Sequence, residues 1–234
     1  MMIVDDANSS SSVFGSASFT RIYSVQGLVS MSPTLGRKII LDFSQFSDDN
    51  GAEKSEDNIL EVMRKIRNET IAIRFSGSKI SASEICKQLL IPLTSNTTVN
   101  NSNRLTNLRY LDVSFISLSS DAFEAICSIV HPTRGTYSIK VLILSKCSLG
   151  TSQVSKLFQT LCGNNIIEEI VVTGNNCGDT AVPHIITFLL EYKNIVTKLG
   201  IGGNKITSKG KLIVIGHSVV VEIFFNDESI VVYY

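Results

Sequence analysis

Two hydrophobic rhythms alternate along the chain. Short stretches place an apolar residue at every second position, and the longer stretches between them space apolar residues three or four apart. The first rhythm is clearest in four eleven-residue segments: LRYLDVSFISL at 108–118, IKVLILSKCSL at 139–149, IEEIVVTGNNC at 167–177 and VTKLGIGGNKI at 196–206. Their apolar positions superpose. Leu108, Leu111, Val113 and Leu118 match Ile139, Leu142, Leu144 and Leu149, then Ile167, Ile170, Val172 and Cys177, then Val196, Leu199, Ile201 and Ile206. A period of two predicts a short strand with one buried and one open face. Leu111, Leu142, Ile170 and Leu199 should form one inward row.

The segments recur on a fixed step. Ile116, Cys147, Asn175 and Asn204 occupy one slot, at intervals of 31, 28 and 29 residues. Such a period marks a stacked array in which each unit buries its apolar face only against its neighbours. Weaker copies flank the strong ones: KIILDFSQF at 38–46 places Leu41 and Phe43, TIAIRFSGSKI at 70–80 places Ile73, Phe75 and Ile80, and VVEIFFNDESI at 220–230 places Ile223, Phe225 and Ile230. Seven candidate units result, their strands side by side in a parallel sheet. The asparagine in the slot turns the chain after the strand, and its amide satisfies backbone groups that the bend leaves unpaired.

Between strands the period lengthens to that of a helix. SSDAFEAICSIVH aligns Ala122, Phe123, Ile126, Ile129 and Val130 on one face, with Ser119 or Ser120 as N-cap. TSQVSKLFQTLCG aligns Val154, Leu157, Phe158 and Leu161 and ends at Gly163, a C-cap residue. DTAVPHIITFLLEY follows suit, with Pro183 tolerated in the first turn. EDNILEVMRKIRNE, at 56–69, reads as a solvated helix face over Ile59, Val62, Met63 and Ile66.

Two regions break the rhythm. PLTSNTTVNNSNRLT, at 92–106, is polar and asparagine-rich and reads as a loop inserted between a helix and the next strand. Residues 1–37 read as a flexible tail and an N-terminal cap, in which SFTRIYSVQGLVSM has enough apolar content to cover the first edge of the array. The array itself is assigned to 38–234.

Strand, turn, helix, turn at this step, with the pattern LxxLxLxxNxL, resembles the ribonuclease-inhibitor-like class of leucine-rich repeats. The resemblance covers roughly 38–230 and is clearest over 107–206. It implies an α/β leucine-rich repeat solenoid: a curved parallel sheet on the concave side and α-helices on the convex side. Relatives of this class include actin-regulatory proteins that bind capping protein or filaments, activators of the Ran GTPase, and immune receptors. Binding through the concave or edge surface is what they share. The chain shows no acidic tail, nucleotide-binding module or proline-rich segment, so the resemblance stops at the class.

Charge and composition narrow the partners. Lys+Arg and Asp+Glu both number 21, so no global field would recruit a phosphate backbone or an anionic membrane, and nucleic acid is not an expected partner. The start lacks a basic n-region and a long apolar core, so it does not read as a signal peptide. No run approaches the roughly 18 apolar residues of a membrane span. A cytoplasmic protein is expected. The five cysteines, Cys86, Cys127, Cys147, Cys162 and Cys177, lack CxxC spacing and read as buried thiols rather than disulfides or zinc ligands.

The search for catalytic chemistry yields no enzyme, cofactor or metal assignment. His131, His184 and His217 are scattered without ligand spacing. GIGGNKITSKGK invites a phosphate-loop reading, but Lys205 stands where the motif requires glycine and Leu212 where it requires a hydroxyl. Its glycines fit the strand and turn of one repeat.

Function is therefore expected on a surface. The outward slots of the strands hold Ala72, Arg74 and Ser76; Tyr110, Asp112 and Ser114; Val141, Ile143 and Ser145; Glu169, Val171 and Thr173; Lys198, Gly200 and Gly202; Glu222, Phe224 and Asn226. Val141, Ile143 and Val171 beside Tyr110, bordered by Arg74, Asp112, Glu169 and Lys198, make an apolar centre with a charged rim, the composition of a partner-binding patch. The competing reading is that outward valine and isoleucine merely favour strand structure. Three function classes follow: a non-enzymatic interaction module or scaffold, a Ran-activator-like regulator of a small GTPase, and a regulator of actin assembly through capping protein or filament ends. At the C-terminus, EIFFNDESIVVYY leaves three alternatives: fold-back as a terminal strand, continuation in a longer array, or cover by another molecule. An incompletely capped end that self-associates is the expected outcome.

Overall fold

The computed structural model describes residues 19–22, 38–42, 70–76, 107–132, 139–192, 195–210, 221–225 and 228–232. The expected helix at 56–69, the loop at 92–106, and Phe43, Ile80, Cys86, Lys211 and His217 lie outside them. The described elements are β1 (Phe19–Ile22), β2 (Lys38–Asp42), β3 (Thr70–Arg74), β4 (Tyr110–Asp112), α1 (Ser120–Val130), β5 (Val141–Ile143), α2 (Thr151–Leu161), β6 (Glu169–Val171), α3 (Val182–Tyr192), β7 (Lys198–Gly200), β8 (Val221–Phe225) and β9 (Glu228–Val232). The architecture is mixed α/β. Among the described residues the strands form one nine-stranded sheet whose spatial order is the chain order. β1 to β8 are parallel, and β9 pairs antiparallel with β8.

Register follows the two-residue pattern. Ile73, Leu111, Leu142, Ile170, Leu199 and Ile223 are successive Cα partners across six strands. The first five are fully buried. They enter one core with the apolar faces of the helices: Phe123 and Ile126 of α1, Leu157 and Phe158 of α2, Ile185, Phe188 and Leu189 of α3. Phe158 and Phe188 meet with ring centroids 5.6 Å apart at 59°, which ties α2 to α3. The helices start as their sequences dictate. The Ser119 hydroxyl accepts the Ala122 N–H at 3.3 Å, and the Gln153 side chain accepts the Gly150 N–H at 2.9 Å. α2 ends at Leu161, Cys162 caps it, and Gly163 follows at φ +93°, where a side chain would be strained.

The turns share a geometry built around the slot at 116, 147, 175 and 204. Asn175 donates through Nδ2 to Leu144 O (2.8 Å) and Val172 O (2.7 Å) and accepts through Oδ1 from the N–H groups of Cys147 and Leu149 (both 3.0 Å). Cys147 takes over one of these tasks, its thiol donating to Val113 O at 3.2 Å. Asn204 donates to Val172 O and Ile201 O, both at 2.9 Å. Ile116 makes the slot apolar and is buried. One residue earlier, Phe115, Lys146, Gly174 and Gly203 all adopt positive φ (66°, 55°, 74° and 65°). The peptide N–H groups of Phe115, Lys146 and Gly174 donate to Ser145 O, Thr173 O and Gly202 O at 2.7–2.8 Å, so each bend is fixed by the next unit.

Both ends refine the reading of the sequence. Among the described residues the sheet starts at Phe19, so the stretch read as a cap supplies β1. At the other end the structure shows the first of the three alternatives, a fold-back: residues 228–232 return as β9, antiparallel to β8. The physical cause is the connection, since only Asn226 and Asp227 separate Phe225 from its partner Glu228. A parallel neighbour would need a crossover of about a dozen residues.

Candidate functional site

The face of the sheet turned away from the helices carries two rows in register. One reads Ala72, Tyr110, Val141, Glu169, Lys198 and Glu222; the other Asp42, Arg74, Asp112, Ile143, Val171, Gly200 and Phe224. All eight residues expected on a binding face, Arg74, Tyr110, Asp112, Val141, Ile143, Glu169, Val171 and Lys198, are thus brought together on four neighbouring strands and their flanking strand.

They are not equally accessible. Tyr110, Ile143, Glu169, Val171 and Lys198 are half-buried and Arg74 is exposed. Val141 and Asp112 are not rim or centre in the expected sense, because only 2% and 4% of their surfaces reach solvent. Val141 stands between the larger Tyr110 and Glu169 in its row. Asp112 is turned to its own neighbours: it accepts the Ser114 N–H at 2.9 Å, and its Oδ2 lies 3.5 Å from Arg74 Nε. The apolar residues of the patch that still reach solvent are therefore Tyr110, Ile143 and Val171, each half-buried.

Sequence reasoning missed Asp42. It lies in register with Arg74, is 6% exposed, and its Oδ2 is 3.8 Å from Arg74 Nη1. Arg74 thus bridges two buried carboxylates on the strands either side of it, with 48% of its side chain still in solvent. The signal was available, since Asp42 follows Leu41 as Asp112 follows Leu111. This electrostatic environment marks Tyr110, whose phenol is pushed up to about 12 by burial and then by the negative charge of Asp112, with Arg74 opposing. Beyond the apolar centre, Lys198 Nζ lies 3.8 Å from Glu169 Oε2, and Lys140 pairs with Glu168 just outside the row.

Gly200, expected as a strand position of one repeat, has a specific neighbour. A Cβ there would sit 2.7 Å from Val171 Cγ1 and 3.1 Å from Thr173 Oγ1. Val171 leans into the space the glycine leaves, so the apolar ridge of Ile143 and Val171 drops to backbone at β7. Phe115 borders the same face at the turn after β4. It is 58% exposed in a left-handed conformation and lies 5.0 Å beneath Lys146 Nζ, a cation–π arrangement.

No family model matches the chain, and no curated protein matches it. Solved structures do. One is actin-binding site 2 of leiomodin-1, at 15% identity and a TM-score of 0.37, covering 44% of this chain and 58% of that one. Another is a structural-genomics target from Bacteroides fragilis, at 11% identity and a TM-score of 0.46, covering 88% and 70% respectively. The chain thus spans less than two thirds of the leiomodin-1 chain. No helix among the described residues is long and apolar enough to cross a membrane.

Proposed function

We propose that the chain is a non-enzymatic protein-binding module of the cytoplasm, a leucine-rich repeat solenoid that takes a partner protein across the open face of its sheet. One observation carries the reading: Tyr110, Ile143 and Val171 are contiguous, half-buried and apolar on three adjacent strands, with Arg74 on one side and the Glu169–Lys198 pair on the other. A desolvated centre inside a charged border is how protein interfaces place their affinity. Glycine at Gly200 adds relief, giving a partner side chain a step against which to seat. Every residue of the centre stands on a strand whose register the core fixes, so the surface is held rigid before binding, which lowers the entropic cost of association.

The test is affinity capture from a native extract with the intact chain and with an Ile143→Ser, Val171→Ser variant. Loss of a captured protein at an unchanged melting temperature supports the face. Equal capture by both proteins refutes it, and a large fall in melting temperature shows that these residues serve the core. The two partner classes that the family resemblance implies are assayed directly on the same pair of proteins. Faster GTP hydrolysis by a Ran-type GTPase would identify the first, and altered pyrene-actin assembly with or without capping protein the second.

A further inference from the structure

We infer that Phe115 and Lys146 form one anchor at the rim of the sheet for a partner segment that carries a carboxylate side chain beside an apolar one. The carboxylate meets the Lys146 ammonium and the apolar side chain lies against the Phe115 ring. The inference deepens the open-face reading and rests on it for the class of partner, a protein.

The backbone supplies the first argument. Phe115, Lys146, Gly174 and Gly203 occupy equivalent turn positions, all at positive φ. That conformation suits glycine and is unfavourable for any other residue, because Cβ crowds the following carbonyl. The turn does not need a side chain. Gly174 donates its N–H to Gly202 O at 2.7 Å, just as Phe115 and Lys146 donate theirs to Ser145 O and Thr173 O at 2.8 Å. The two positions that carry a side chain are the two whose side chains meet, with Lys146 Nζ 5.0 Å from the Phe115 ring centroid. Burial does not offset the strain, since Phe115 is 58% exposed and Lys146 is exposed as well. Strain kept on two touching, exposed side chains marks a place where something else binds.

Charge selects the occupant. Lys140, Lys156 and Lys198 each lie against a glutamate, whereas Lys146 Nζ meets a ring and, among the described residues, no carboxylate. A Cβ at Gly174 would come within 2.7 Å of Lys146 Cγ, so the glycine of the next unit leaves room for the lysine stem. A positive charge and an apolar surface therefore stand side by side. An aspartate or glutamate accepts from the ammonium in a charge-assisted hydrogen bond, and an adjacent apolar side chain covers the ring. A nucleic acid would need a basic track, and Lys+Arg equal Asp+Glu at 21 each. Lys146 follows Ile143 by three residues, no more than about 11 Å of chain, so one segment can lie on Ile143 and reach the anchor.

A phage-displayed random peptide library panned on the intact chain should enrich sequences with aspartate or glutamate next to an apolar residue. The enriched peptide, made synthetically, is then measured by fluorescence anisotropy against the intact chain, Phe115→Gly, Lys146→Gln and the double variant Ile143→Ser, Val171→Ser. Phe115→Gly and Lys146→Gln should each weaken binding roughly tenfold or more. Exchanging the acid of the peptide for its amide should weaken binding to the intact chain equally and change nothing further on Lys146→Gln. Phe115→Gly should melt no lower than the intact chain, because glycine is what the equivalent turns carry at Gly174 and Gly203. A lower melting temperature would give the ring a structural role and overturn the inference. So would an absence of enrichment, enrichment without an acid, or binding of a single-stranded oligothymidine that depends on Phe115. The two readings fail separately. Loss of peptide binding only in Ile143→Ser, Val171→Ser keeps the open face and removes the rim anchor; loss only in Phe115→Gly and Lys146→Gln keeps the anchor and removes the open face.

Discussion

Replacing Asn175 with alanine removes four hydrogen bonds from a site that water does not reach. The side chain is 5% exposed and binds Leu144 O, Val172 O and the N–H groups of Cys147 and Leu149; its loss leaves Leu144 O and the two amides without this partner, while Val172 O keeps the bond from Asn204 Nδ2. A protein hydrogen bond contributes about 1 kcal/mol net, and a buried group left unpaired costs about 1–3 kcal/mol. Four bonds therefore set a loss near 4 kcal/mol, moderated only by water that the shortened side chain admits. Asn204→Ala is the internal comparison. Its Nδ2 donates to carbonyls, but its Oδ1 has no partner among the described residues, so the truncation orphans no amide and should cost about 2 kcal/mol. Asn176→Ala, one residue away and exposed, should cost little. Urea denaturation of the three variants measures the order directly. If Asn175→Ala costs less than about 1 kcal/mol, or no more than Asn204→Ala, the slot is not what holds consecutive units together.

The remaining expectations concern the core, the thiols and pH. Leu142→Ala, fully buried in a central strand, should cost about 2–5 kcal/mol in the same assay while Ser145→Ala costs little; equal small effects would mean the register is wrong. Burial, ahead of every other influence, pushes the thiols of Cys127 and Cys177 up to about 11 and that of Cys147 up to about 12. Alkylation at pH 8, followed by peptide mass mapping, should therefore reach these three only as fast as the chain opens, and rapid labelling of the native protein would contradict their placement. Asp179 is held below the ordinary aspartate value of 3.8 by donation from the Thr207 hydroxyl and then its N–H. Its contribution is present above that value and disappears as pH falls through the lower native pKa. Thr207→Val should raise the Asp179 titration followed by NMR, and an unmoved curve would exclude the hydroxyl as its cause.

How far the sequence could be read depended on whether a residue answered to a period or to its neighbours. Leu111, Leu142, Ile170 and Leu199 were legible because a buried face repeats every second residue, and a slip of one would turn all four to solvent. Val154, Leu157, Phe158 and Leu161 were legible for the same reason at the helical period. Val141 was misjudged because alternation states a direction and not the height of adjacent side chains; beside Tyr110 and Glu169 an outward valine is covered. The Asp42–Arg74–Asp112 bridge joins residues 32 and 38 positions apart, and only the alignment of a weak unit with a strong one brings them together. The left-handed turns were half visible. Gly174 and Gly203 announce the conformation, but Phe115 and Lys146 adopt it against their own preference because the backbone bonds to the next unit impose it.

The direction of the asparagine contacts bears on synthesis. Asn164 reaches back to Val130 O, Asn175 to Leu144 O and two amides before it, and Asn204 to Val172 O, each crossing to the unit that precedes its own. On the ribosome a unit is made before the amide that will complete its turn. A newly emerged strand therefore waits for about one further repeat of chain before its polar groups are satisfied, and ordered structure should trail translation by that length.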